Sequence, residues 1–277
     1  MSYFEGKRIL ITGAGSGLGR RMALSMAREG GSIIAWDINA EALEKVLSEL
    51  KMASGREHMG TVCDVSTSKA VYQAADTIKG AAGPPDILIN NAGLVSGKPF
   101  LECSDAEIRR TMGVNTMALF WTAKAFLPEM IHRNAGHIVT VASAAGLVGT
   151  ARLADYCASK YAAVGFDESI RAELKQVAPG VNTTVICPYY INTGMFRGAK
   201  TRFSWLLPIL DERYAADRMV DAIRRRRPRL IMPPLVYTVP LLRLMPVAVF
   251  DWVVTFLGVN ASMHDFKGRK EDAHDRS

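Results

Sequence analysis

The chain has 277 residues, 49% of them hydrophobic and 22% charged, with a formal net charge of +7. That balance excludes a disordered or fibrous chain and leaves room for one α/β domain with a full core. Four scattered cysteines (Cys63, Cys103, Cys157, Cys187), with no CxxC and no histidine at metal spacing, are expected as reduced thiols in a cytoplasmic protein, not as disulfides or a metal site.

The start, MSYFEGKRIL, has no apolar stretch before the first strand, so neither a signal peptide nor an N-terminal anchor is expected. KRILIT (7–12) reads as a buried strand and GLGRRMALSMAREG (17–30) as a helix ending at Gly30 and Gly31. SIIAWD (32–37) is a second strand, after which Asn39 is placed to cap the helix AEALEKVLSELK. MGTVCDV (59–65) is a weaker strand, followed by Ser66 as the expected cap of a helix over 67–82. DILIN (86–90) and HIVTVAS (137–143) are short apolar strands separated by a helical stretch from about Ser104 to Ile131. A helix from about Tyr156 to Val177 leads to VNTTVIC, a sixth strand. A helix over 211–226 and RLIMP, a seventh strand, complete the pattern.

Repeated strand–helix units with near-continuous apolar strands predict a Rossmann-like, doubly wound parallel sheet of about seven strands with helices on both faces. The expected organisation is a catalytic domain over 1–232, an apolar extension over 233–263 packed on it, and a polar tail over 264–277 that is disordered. Ligands in such folds bind beyond the carboxyl ends of the strands.

TGAGSGLG (12–19) lies in that position after the first strand, with Gly13, Gly17 and Gly19 spaced GxxxGxG. Glycines there let the backbone approach a pyrophosphate and turn into a helix whose N-terminus favours negative charge. Asp37 ends the second strand, where a carboxylate would bond the adenosine ribose hydroxyls and repel the extra phosphate of NADP. Ser16 and Ile38 offer no basic group to that phosphate, so NAD is favoured, with NADP as the other candidate. In DYCASKYAA (155–163), Tyr156 and Lys160 share one helix face at a spacing of four. An ammonium beside a phenol favours the phenolate, so Lys160 is expected to lower the pKa of Tyr156.

These motifs, in this order, resemble the short-chain dehydrogenase/reductase family over roughly residues 6 to 195. Thr12, Gly13, Gly17 and Gly19 match its TGxxxGxG loop, and Asp64 in CDV matches the acid that contacts adenine. NNAG (90–93) follows the fourth strand, Asn115 matches the asparagine of the catalytic helix, and Ser143 stands 13 residues before the YxxxK of Tyr156 and Lys160. PYYINT (188–193) matches a PGxxxT segment, except that Tyr189 replaces the glycine.

The resemblance implies that Tyr156 is the general acid/base and that Lys160 lowers its pKa and binds the nicotinamide ribose. Ser143 would bind the substrate oxygen, and Asn115 would hold a water linking Lys160 to solvent. It further implies cofactor contacts from Ser16, Leu18, Val65, Asn91, Ala92, Gly93, Pro188, Ile191 and Thr193. Homo-oligomers are implied as well, dimers or tetramers built through the helix carrying Tyr156.

The end of the chain departs from the family's common glycine-rich finish. LLPIL, YAADRMVDAI, IMP and FLGVNASM resemble instead the retinol dehydrogenase and 17β-hydroxysteroid dehydrogenase subgroup related to epidermal retinol dehydrogenase 2. That implies hydride transfer between the nicotinamide and bulky hydrophobic secondary alcohols or ketones: steroid-, retinoid- or aryl-alcohol-like. Phe203, Trp205, Leu206 and Leu207, in the segment that forms a substrate lid in the family, are expected to line the pocket together with Ser143 and Tyr189. Prolines 233, 234, 240 and 246 interrupt the apolar run after residue 232, which argues against a membrane span. Three readings of that run stand: extra core or an oligomer contact, a lid over an apolar pocket, or peripheral membrane contact helped by RRRRPR (224–229). The same arginines read as a solvated helix end, and the basic residues lack the aromatic interleaving of a nucleic-acid surface. The rival functions are a nucleotide-bound scaffold without turnover and a peripheral membrane protein.

Overall fold

The protein is described from a computed structural model covering residues 2–268. Seven parallel strands form one sheet in the order β3-β2-β1-β4-β5-β6-β7. They are β1 (Arg8–Thr12), β2 (Ser32–Asp37), β3 (Met59–Val62), β4 (Ile87–Asn90), β5 (Gly136–Val141), β6 (Val181–Pro188) and β7 (Arg229–Met232). Helices α1 (Gly17–Arg28), α2 (Ala40–Ser54) and α3 (Ser68–Ala82) alternate with the first strands. They are followed by α4 (Asp105–Met112), α5 (Ala118–His132), α6 (Ala154–Val177) and α7 (Glu212–Arg224). The Rossmann-like arrangement read from the sequence is the observed one.

Strand alternation supplies both faces of the sheet. In β1, Ile9 and Ile11 join Met22, Met26 and Met219 on the side covered by α1, α2 and α7. Leu10 points the other way, to Trp36, Ile78 and Phe126 beside α3 and α5. Each of these side chains is fully buried, and each contributes about 1.5–3 kcal/mol relative to exposure.

Local chemistry sets several helix ends. Asn39 caps α2 by accepting from the Ala42 amide at 2.9 Å, and Ser104 with Glu107 forms a reciprocal capping box on α4. The cap of α3 is Thr67, not Ser66. The Ser66 amide donates to Asp64 Oδ1 at 2.9 Å, which keeps Ser66 in the preceding turn. Helix α6 starts at Ala154, two residues before Tyr156, so the tyrosine lies inside the first turn. The long helical stretch after Ser104 is broken by one π turn, Gly113–Met117, between α4 and α5. Such turns insert one extra residue and re-aim a side chain, here that of Asn115.

The chain reverses its strand order between β1 and β4, so the crevice opens beyond Thr12 and Asn90. After β7 come a 3₁₀ turn (Pro234–Thr238) and two short helices, α8 (Val239–Leu242) and α9 (Val247–Phe256). Residues 264–268, expected within a disordered tail, are packed instead: Phe266 sits over Gly97, and the Lys267 amide donates to the Arg197 carbonyl at 2.8 Å. The remainder of that tail lies outside the described residues.

Candidate active site

The crevice beyond β1 and β4 is tied shut at its base by one hydroxyl. Thr12 Oγ1 accepts from the amides of Asn91 and Ala92, both at 3.0 Å, and Asn91 Nδ2 donates back to the Thr12 carbonyl at 2.9 Å. Glycine is required here by close approach: a Cβ on Gly13 would lie 3.0 Å from Ala92 Cα, and one on Gly19 only 2.1 Å from the Gly13 carbonyl oxygen. Gly17 adopts a positive φ of 52°, and neither it nor Gly19 borders the crevice. Gly13, Ser16 and Leu18 do face it, together with Asp64, Val65, Asn91, Ala92 and Gly93. Asp37 borders the same crevice and accepts from the Gly15 amide at 2.8 Å and the Asn39 amide at 3.0 Å. Arg20 and Arg21 turn away from it, Arg20 to Glu49 at 2.6 Å and Arg21 to Glu212 at 3.0 Å.

The other end of the crevice holds the catalytic candidates. Ser143, Tyr156 and Lys160 are all buried there, and Pro188, Ile191 and Thr193 form the facing wall. Tyr156 is hydrogen-bonded to the Ser143 hydroxyl. Ser143 Oγ is held in turn by the Pro188 carbonyl at 3.3 Å and the Ala145 amide at 3.1 Å. Lys160 Nζ donates to the Val141 carbonyl at 2.9 Å and lies 5.7 Å from the centre of the Tyr156 ring. Asn115, re-aimed by the π turn, bridges the Leu94 backbone (2.9 Å to both its amide and its carbonyl) and Ser159 Oγ at 3.0 Å. It thereby fastens the loop after β4 to α6.

Burial sets the electrostatics of this end. It pushes the Tyr156 phenol above its usual value, against the opposing effect of its hydrogen bond with Ser143, and depresses the Lys160 ammonium to about 8. Burial thus outweighs the lowering of the Tyr156 pKa expected from Lys160. The phenol is removed from water, and the ammonium is directed to a carbonyl instead of to the phenol.

The crevice, about 770 Å³ in volume, fits a dinucleotide. A helix N-terminus faces its middle, a carboxylate one end, and a serine, a phenol and an ammonium the other. Ser16, Asp37, Asn91, Lys160 and Thr193 are among the residues that would hold the cofactor.

A second, apolar cavity of about 70 Å³ also borders Tyr156. Its walls are Val148 and Leu153, the loop residues Tyr189, Tyr190, Phe196 and Leu207, and Leu242, Phe250, Val254 and Leu257 from the C-terminal segment. Phe203, Trp205 and Leu206 are not in its wall, contrary to expectation. The Leu206 and Leu207 amides both bond back to the Phe203 carbonyl, closing a turn that carries Leu207 inward. Trp205 is left 80% exposed, and Phe203 packs on Phe256 with ring centres 5.7 Å apart. Sequence reasoning missed Tyr190 and Phe196. Phe196 stands edge-on to both Tyr156 (5.7 Å) and Tyr190 (5.1 Å). The Tyr190 hydroxyl is joined to Ser262 Oγ at 2.7 Å, which latches the VNASM motif to this cluster. Phe250, Val254 and Leu257 carried a readable signal, an apolar i, i+4, i+7 stripe.

The family model for short chain dehydrogenases matches residues 7–202. Human epidermal retinol dehydrogenase 2 is 44% identical over 268 residues, 96% of this chain and 87% of that protein. A short-chain dehydrogenase/reductase from Burkholderia phymatum, solved in complex with NAD, superposes with a TM-score of 0.78 at 31% identity, covering 88% of this chain and 95% of its own. The chain belongs to the short-chain dehydrogenase family. It is an NAD(P)-dependent oxidoreductase.

Proposed function

We propose that the protein interconverts bulky, apolar alcohols and the corresponding carbonyl compounds, with NAD preferred to NADP. One observation carries this reading: Ser143, Tyr156, Tyr189 and Phe196 border both the polar crevice and the apolar cavity. A hydroxyl and a phenol therefore stand at the junction where a substrate carbon in the second space would meet a cofactor in the first.

When bound, the nicotinamide supplies the hydride acceptor or donor. In alcohol oxidation, Tyr156 Oη takes the hydroxyl proton, and in carbonyl reduction it returns that proton. The raised pKa of the buried phenol keeps the proton on Tyr156 at neutral pH, the form needed for reduction. Ser143 Oγ, fixed by two backbone contacts, orients the substrate oxygen beside it. Lys160 is charged below about pH 8 and stabilises the phenolate as it forms. Asn115 Oδ1 and Lys160 Nζ both border Gly93, where a water linking Lys160 to solvent would sit.

The apolar lining supports hydrophobic substrates, and the name of the human relative adds support for a retinoid-like alcohol. Volume adds a condition, because typical ligand pockets span roughly 300–1,000 Å³. A bulky alcohol therefore enters as the cover formed by α8 and α9 yields. The preference for NAD rests on Asp37, whose carboxylate would repel a ribose phosphate, and on the outward pairing of Arg20 and Arg21. Self-association through α6 belongs to the same reading, on the family resemblance.

The test is nicotinamide absorbance over time, with NAD or NADP, against bulky and small secondary alcohols and retinol. Turnover with NAD and the bulky alcohols is expected. Turnover with small alcohols alone would overturn the substrate class, and turnover with NADP alone the cofactor preference.

A further inference from the structure

We infer that the outer face of α8 and α9 docks on an anionic lipid bilayer and takes apolar substrate from it. The second half of that statement rests on the function proposed above; the docking does not. The two helices are apolar on both sides. Inward, Leu242, Phe250, Val254 and Leu257 line the cavity beside Tyr156. Outward, Leu244 is 83%, Val247 75% and Trp252 66% exposed, and Leu241 and Phe256 are exposed with them. Trp252 stacks on Phe256 at 5.6 Å, and these rings share the segment 241–256 with the exposed Leu241, Leu244 and Val247. Single exposed apolar side chains are ordinary on a protein surface, whereas a contiguous patch marks an interaction site.

Charge selects the occupant. Arg202 lies over the rings of Phe203 and Phe256 at 5.3 and 5.2 Å, and Arg243 over those of Tyr161 and Phe250 at 5.1 and 5.9 Å. Among the described residues neither arginine forms an ion pair, although most arginines of the α7 end do. Arginines laid over aromatics at the margin of an apolar patch match anionic headgroups above acyl chains. Asp251 is the one acid on α9. RRRRPR takes no part: it leads into the first residue of β7, whereas α8 follows the other end of that strand. No helix among the described residues is long and apolar enough to cross a membrane, so the mode is lying on the bilayer.

The full chain would be sedimented with phosphatidylcholine vesicles, with and without phosphatidylserine, as wild type, as the double variant Leu244→Glu/Trp252→Glu, and as Arg202→Gln/Arg243→Gln. Wild type is expected in the pellet with phosphatidylserine. The apolar variant should lose about tenfold or more in partitioning, and the arginine variant should lose the dependence on phosphatidylserine. Turnover of a small water-soluble alcohol should be unchanged in both variants, while turnover of an apolar alcohol dissolved in vesicles falls with binding. Equal sedimentation of wild type and the apolar variant, or none by either, would overturn docking. So would a lipid-free dimer that the apolar variant dissociates, since the patch would then be an interface between two copies. Loss of all turnover in wild type would count against the proposed function and leave the sedimentation result standing.

Discussion

Lys160 directs its ammonium to the Val141 carbonyl at 2.9 Å, with the Tyr156 ring centre 5.7 Å away. The lysine is thus anchored to the end of β5 and acts on the phenol through space, not through a hydrogen bond. Removing the phenolic hydroxyl should then affect proton transfer without disturbing the lysine. Tyr156→Phe is expected to lower kcat by roughly 10²–10⁴-fold with NAD affinity, read by fluorescence titration, nearly unchanged. A matching fall in affinity would make the hydroxyl a structural element of the crevice.

Asp37 meets two backbone amides as well as the crevice, so its role can be separated from its support of the loop. Asp37→Asn keeps an acceptor for one amide while removing the charge. The ratio of kcat/KM with NADP to that with NAD should rise by about tenfold or more, equivalent to about 1.4 kcal/mol. An unchanged ratio would show that discrimination lies elsewhere.

Pocket selectivity should follow the observed wall. Val254, buried on α9, faces the cavity, so Val254→Phe should raise KM for bulky alcohols by about tenfold or more and leave small ones within about twofold. Trp205→Ala should change neither substrate class by more than about twofold, because the indole stands in solvent. A selective effect of Trp205→Ala on bulky substrates would restore that residue to the pocket.

Asp167, on the inner face of α6, titrates far from its ordinary range. Burial lifts it to about 7, although Arg171 Nη1 lies at 3.4 Å and Thr183 Oγ1 donates to it at 3.4 Å. Its folded pKa exceeds its unfolded value of 3.8, so the folded chain binds more protons between those two values. Its contribution to stability is therefore full below 3.8 and is lost as pH rises through about 7. Relative to wild type, Asp167→Asn should become more stable as pH is raised from about 5 to about 8. Denaturant melts at the two pH values check this, and a constant difference would refute it.

Much of this protein was legible in sequence because the deciding interactions are local. Apolar strands alternating with amphipathic helices, the close-packed glycines after β1, and a tyrosine and lysine four residues apart on one helix depend on spacing along a single segment. So did the capping residue Asn39. The same chemistry misled at Ser66, where a turn around Asp64 claimed the residue first. Long-range features had no such signature. Tyr190 meets Ser262 across 72 positions, and Phe196 meets Tyr156 from a loop whose path no periodicity sets. The stripe of Phe250, Val254 and Leu257 announces an apolar face but not what it covers. The raised pKa of Tyr156 is a property of enclosure by several segments at once. Sequence determined the fold, the crevice and the placing of Tyr156 and Lys160 on one helix face, since these rest on backbone geometry and helix period. Tertiary structure alone decided which side chains wall the cavity and which face outward, because burial is set by everything packed around a residue.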